Sequence, residues 1–187
     1  MSRIVLVRHG ATAWTGHRYC GCSDPELSPA GFEQARAVAH RVAGLVPPGT
    51  SVIASPRRRA LDTARRVAAR IDGAIAVDER LAEVDFGAVE GRSFETVRRR
   101  WPAIAERLLA AELDIDWPGG ESAMAFRTRI HEMAAALAAV PGDLVVVSHA
   151  GPIRALAALL GADAGGPDLD VEPGGLLVVP SPVRVVS

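Results

Sequence analysis

The chain has 187 residues, of which 49% are hydrophobic and 23% charged, and a formal net charge of −1. That length and apolar content suffice for one compact domain with a core of its own, and the near-zero charge excludes a global field drawing the chain to nucleic acid or an anionic membrane. All 21 basic residues are arginine, and neither lysine nor asparagine occurs, which excludes a Schiff-base lysine and a lysine-bearing phosphate loop.

The first strand is expected at 4–7, where "IVLV" is apolar and β-branched without alternation, the pattern of a parallel strand covered on both faces. It stops abruptly on Arg8, His9 and Gly10. Ser28-Pro29 then opens a helix with an N-cap and a proline at the first helical position, and Ala35, Val38, Ala39 and Val42 recur along one face. "SVIA" at 51–54 reads as the second strand, and Ser55-Pro56 is expected to open the next helix in the same way. "AIAV" at 74–77, "LVVV" at 144–147 and "LLVV" at 176–179 are further strands of the same covered type. Helices are expected near 93–111, 121–139 and 151–160, the last closed by Gly161. Loops near 44–50, 114–120 and 162–175 are rich in Pro, Gly and Asp, and the last is long enough for mobility.

Strands alternating with helices predict an α/β fold, a three-layer α/β/α sandwich on a mostly parallel sheet, and no linker divides residues 1–187 into more than one domain. No apolar run approaches the roughly 18 residues that span a bilayer, and the N-terminus lacks a signal-peptide pattern, so no membrane partner is expected and the expected compartment is the cytoplasm. Cys20 and Cys22, one residue apart, suit neither a relaxed mutual disulfide nor a complete zinc site, and read as loop thiols in a reducing compartment.

In an open α/β sheet, ligands bind beyond the carboxyl ends of the strands. Those ends carry Arg8-His9-Gly10, then "SPRRRALDTA" after the second strand, then Ser148-His149-Ala150-Gly151 after "LVVV". Two histidines with arginines from two segments make an anion site, because the planar guanidinium fork matches phosphate oxygens and the helix start near Gly151 adds amide dipoles. A neutral imidazole facing a phosphoryl group held by arginines attacks phosphorus, and the leaving oxygen then needs a proton. "LAEVDFGAVEG" at 81–91 offers Glu83, Asp85 and Glu90 for that purpose, and spacing alone does not choose among them.

The ordered set "LVRHGATAW", "GCSDPELSPAGFEQA", "SPRRRALDTA", "LAEVDFGAVEG", "WPGGES" and "VVSHAG" resembles the histidine phosphatase superfamily, the phosphoglycerate-mutase-like proteins, over most of the chain. The resemblance implies that His9 is the phosphorylated nucleophile, that Arg8, Arg59 and His149 bind the phosphoryl oxygens, and that Glu83 is the proton donor. Asp85 and Glu90 then become loop-shaping carboxylates. It implies no metal and no cofactor, a small-molecule phosphomonoester as substrate, and a homodimer as the assembly common in the family. This chain departs from the family pattern at the substrate loop and beside the second histidine. Thr15 stands where relatives usually have asparagine, Cys20 precedes Gly21 where a polar residue is common, the loop between His9 and Gly21 is one residue shorter than in many relatives, and Ala150 replaces a glycine.

Each sharp reading has a bland competitor. Either histidine alone would be a satisfied core histidine, and a metal held by both is disfavoured by the flanking cations. Arg57 and Arg58 read as a solvated helix face, as do Arg98 to Arg100 beside Trp101, rather than as a nucleic-acid patch. Trp14, Tyr19, Phe86 and Trp117 serve either a pocket for an organic leaving group or as loop anchors. The expected function is phosphomonoester hydrolysis through a phosphohistidine. A phosphoglycerate mutase is the enzymic alternative, disfavoured by the short interval between Glu83 and His149, and a non-catalytic phosphate-binding domain is the alternative outside catalysis.

Overall fold

The computed structural model describes residues 2–161 and 171–180. Five strands form one sheet: β1 (Arg3–Arg8), β2 (Val52–Ala54), β3 (Ile75–Val77), β4 (Leu144–Ser148) and β5 (Leu176–Pro180). Their spatial order is β3-β2-β4-β1-β5, parallel throughout except for β5, which runs antiparallel along β1. The helices are α1 (Pro29–Ala43), α2 (Arg58–Ile71), α3 (Phe94–Arg100), α4 (Pro102–Leu109), α5 (Ala123–Ala138) and α6 (Ala150–Leu159).

The pleat sorts the central strands between two cores. Val5, Val7, Val145 and Val147 face Val38, Val42, Ala64 and Val67 of α1 and α2, whereas Ile4, Leu6, Leu144 and Val146 face Ile130, Met133, Ile153 and Leu156 of α5 and α6. This is the three-layer α/β/α sandwich on a mostly parallel sheet that the sequence predicts. No helix among the described residues is long and apolar enough to cross a membrane.

Three local expectations are corrected, and a fourth is not covered. Ser55 does not cap α2; the helix starts at Arg58, and the orphan amide of Arg58 is instead capped by Asp24 Oδ1 at 2.7 Å. The helix expected over 93–111 is two helices, because Pro102 disfavours helical geometry at Trp101, which sits at φ −138°, ψ 66°. The run at 74–77 is not covered on both faces: β3 is an edge strand with Val77 55% exposed, and Val178 on the opposite edge is 38% exposed. Most of the loop expected at 162–175 lies outside the described residues.

Candidate active site

The strand order makes β2, β4 and β1 neighbours, so the residues that follow them meet at one edge. Two ladder bonds extend past the strand ends: His9 N donates to Ser148 O at 3.0 Å, and Ser55 N donates to Val147 O at 3.0 Å. His9, Ser55 and His149 are thereby fixed side by side. The two imidazoles lie edge to face with centroids 4.9 Å apart, and both are buried.

Hydrogen bonding sets the tautomer of His9. Its Nδ1 lies 2.7 Å from the carbonyl of Gly10, which can only accept, so the proton is on Nδ1 and Nε2 carries the lone pair. Nε2 in turn accepts from Arg59 Nε at 3.3 Å. Burial, reinforced by the Arg59 charge, holds the His9 pKa down at about 3. His149 lies 2.7 Å from Ser55 Oγ through its Nε2 and has no hydrogen-bond partner for the buried Nδ1 among the described residues. Burial first, then the neighbouring His9 and Arg59, keeps it uncharged well below the usual histidine range.

Arg59 is almost wholly buried and fastens a loop to the nucleophile. It donates from Nη1 to Ser23 O at 2.8 Å, and from Nη2 to Cys20 O at 2.9 Å and Gly21 O at 3.1 Å. Arg8 lines the same cavity and donates to Val171 O at 2.8 Å. Arg57 and Arg58 separate. Arg58 is exposed and paired with Glu26 at 3.1 Å, as a solvated helix face predicts; Arg57 is half-buried, and its charge is one of those that depress His149.

The three candidate carboxylates also separate. Glu83 lines the cavity, accepts from Val84 N at 3.0 Å, and packs so closely on α6 that a Cβ added to Gly151 would lie 2.7 Å from its Oε1. Burial pushes its pKa up, against the opposing pull of the Val84 amide and the Arg59 and Arg8 charges. Glu90 instead accepts from the amides of Gly21 and Ser23 at 3.0 Å, and Asp85 accepts from Gly87 N at 2.9 Å, both shaping loops.

A cavity of about 320 Å³ opens above these groups. Thr15, Cys20 and Ala150 line it; Gly21 does not, and contributes its backbone to Glu90 and Arg59. Thr15 Oγ1 accepts from Thr12 N at 2.9 Å, which closes a local turn. Both cysteines are free, and burial pushes the Cys20 thiol up to about 11, leaving it an inert wall residue. Tyr19, Phe86 and Trp117 form an edge-to-face cluster on the cavity wall, whereas Trp14 stands outside the lining.

Sequence reasoning missed three supports. Ser55 contacts His149; Ser148 Oγ donates to Leu81 O at 2.7 Å; and Arg129, paired with Glu121, donates to the carbonyls of Arg80 and Ala82 at 2.8 and 2.9 Å. The last two anchor the segment that delivers Glu83.

The molecule is thus an α/β sandwich whose adjacent parallel strand ends gather two uncharged histidines, a buried guanidinium and a half-buried carboxyl around one cavity. A family model of the histidine phosphatase superfamily (branch 1) matches residues 4–179, and the chain belongs to that superfamily. It is 35% identical over 170 residues to a bifunctional protein of Mycobacterium tuberculosis, covering 88% of this chain and 45% of that relative, so the chain spans less than half of its length. It is 31% identical over 168 residues to phosphoserine phosphatase 1 of Hydrogenobacter thermophilus, covering 87% of this chain and 78% of that one. Among solved structures, mycobacterial glucosyl-3-phosphoglycerate phosphatase in complex with VO3 superposes with a TM-score of 0.79 at 30% identity, covering 95% of this chain and 90% of that one.

Proposed function

We propose that the chain is a metal-independent phosphomonoesterase that works through a phosphohistidine on His9. The observation that carries this reading is the unprotonated Nε2 of His9, fixed by the Gly10 carbonyl on the opposite nitrogen and set against Arg59 at 3.3 Å. Nε2 attacks phosphorus; the N–P bond forms as the P–O bond to the alcohol breaks, and the Glu83 carboxyl gives its proton to the leaving oxygen. The Glu83 carboxylate then takes a proton from water as that oxygen joins phosphorus and the N–P bond breaks, releasing inorganic phosphate. Arg8 and Arg59 spread their charge over the equatorial oxygens. His149 contributes Nδ1–H when Ser55 Oγ–H donates to Nε2, so one neutral imidazole serves as donor beside another that serves as nucleophile. Thr15, Cys20 and Ala150 border the path of the alcohol, and Gly21 belongs to the loop that borders it.

The experiment is phosphate release from p-nitrophenyl phosphate, O-phosphoserine and 3-phosphoglycerate with chelator present, the natural chain beside His9→Ala. Release that is abolished by the substitution, with an acid-labile phosphoryl adduct mapped to His9 by mass spectrometry, supports the reading. Isomerisation of phosphoglycerate without net release would replace it with a mutase, and a folded chain inert in every assay would leave a phosphate-binding domain.

A further inference from the structure

The phosphoryl cavity does not end at its aromatic wall. A second cavity of about 520 Å³ adjoins it, and Glu112, Leu113, Phe126 and Arg154 line both. The first lobe is lined by Arg8, His9, Arg59 and Glu83 and also by the apolar Phe86, Leu108, Ile115 and Trp117. The second lobe continues that apolar surface through Phe126 and Ile130 of α5 and Ala155, Ala158 and Leu159 of α6.

The cations around the second lobe are directed at protein partners. Arg107 pairs with Glu112 at 2.7 Å and also donates to Asp114 O, Arg127 pairs with Asp114 at 2.7 Å, and Arg154 donates to Ala111 O at 2.8 Å. These bonds hold the turn between α4 and α5, where Ala111 sits at φ 55°, in place beside the residues that line both lobes. A carboxylate on the alcohol would have to compete with groups already engaged, whereas an apolar group gains burial against Ala158 and Leu159, which α6 leaves exposed at the second lobe. Two adjoining cavities of this size match the roughly 300–1,000 Å³ of sites that enclose a drug-sized ligand rather than a three-carbon acid alone.

We infer that the two lobes form one bipartite substrate site, and that the preferred substrate is an extended phosphomonoester whose alcohol carries an uncharged apolar or aromatic distal group seated between α5 and α6. This rests on the phosphomonoesterase reading for the end that reacts and extends it to the end that selects. Remote burial of this kind raises kcat/KM where the distal group stays bound as phosphorus is attacked.

The test compares 4-phenylbutyl phosphate with 3-phosphoglycerate, using the natural chain and Ala158→Trp, which plugs the second lobe from an exposed helix position without entering either core. The expected result is a higher kcat/KM for 4-phenylbutyl phosphate, reduced about tenfold by Ala158→Trp, with p-nitrophenyl phosphate within about twofold of the natural chain. Equal kcat/KM for the two esters, or a preference for 3-phosphoglycerate, or no effect of the plug, would overturn the inference while leaving hydrolysis intact. If nothing is hydrolysed, calorimetry on His9→Ala decides separately: tighter binding of 4-phenylbutyl phosphate that Ala158→Trp weakens supports the bipartite site, and equal binding overturns it.

Discussion

At the scale of single residues, burial at the site shifts its titratable side chains away from their ordinary values, in the direction that disfavours charge. Glu83 is the clearest case, since burial of its carboxyl beside Gly151 raises its pKa above the ordinary carboxylate value. A folded pKa above the unfolded one means that the group opposes folding once pH rises past both values. Glu83→Gln is therefore expected to raise the thermal midpoint at neutral pH while lowering kcat by about 10²–10⁴-fold, which calorimetry and steady-state hydrolysis check together. Which residues matter was only partly legible. Arg8 and His9 announced themselves because a polar triplet terminates a buried apolar run. The choice of Glu83 over Asp85 and Glu90 needed the resemblance, since all three sit on one short loop; in three dimensions only Glu83 lines the cavity, while the other two are consumed by nearby amides. Ser55, Ser148 and Arg129 left no local signal at all, because each acts on a partner far along the chain.

At the scale of elements, the loop carrying the nucleophile is clamped to α1 by two glycines in mutual contact. A Cβ on Gly31 would lie 1.9 Å from Ala11 O, and one on Gly10 would lie 2.2 Å from Gly31 O. Ser28 Oγ, which also caps the helix through Gly31 N, donates to the Ala11 carbonyl from the same side. Gly31→Ala is expected to cost about 1–3 kcal/mol of stability by forcing helix and loop apart. A lower urea midpoint together with reduced kcat checks this, and an unchanged midpoint would mean that the helix shifts freely. The helix itself was readable from Ser28-Pro29 and its apolar stripe. The same reading applied to Ser55-Pro56 misplaced a helix start: Ser55 Oγ meets His149 and accepts from the Arg57 amide ahead of the helix, and the Arg58 amide is capped by Asp24, a residue no local pattern connects to α2. Edge exposure of β3 was equally invisible, since composition reports what a strand is made of and not how many neighbours it has.

At the scale of the whole molecule, the paired histidines tie stability to acidity. In the unfolded chain an imidazole takes up its proton near the ordinary value of 6.5, whereas His9 resists until about 3 and His149 is likewise held well below. The unfolded state therefore binds more protons as pH falls below about 6.5, and each such histidine subtracts about 1.4 kcal/mol per pH unit across that window. Denaturant midpoints are expected to be level above about pH 7 and to fall between about 6.5 and 4.5, before most carboxylates begin to titrate, and His9→Gln should make that fall shallower. A midpoint unchanged across the window would mean that the imidazoles are hydrated in the native state. The sheet order has a further consequence, for the time course of folding. Among the described residues β1 pairs only with β4 and β5, so Ile4 finds its neighbours at Leu144 and Val179. Ile4 must then wait until the segments carrying Leu144 and Val179 have been made before it can pair, which makes this a topology of distant contacts, slow to close and reliant on β1 staying unaggregated in the interval.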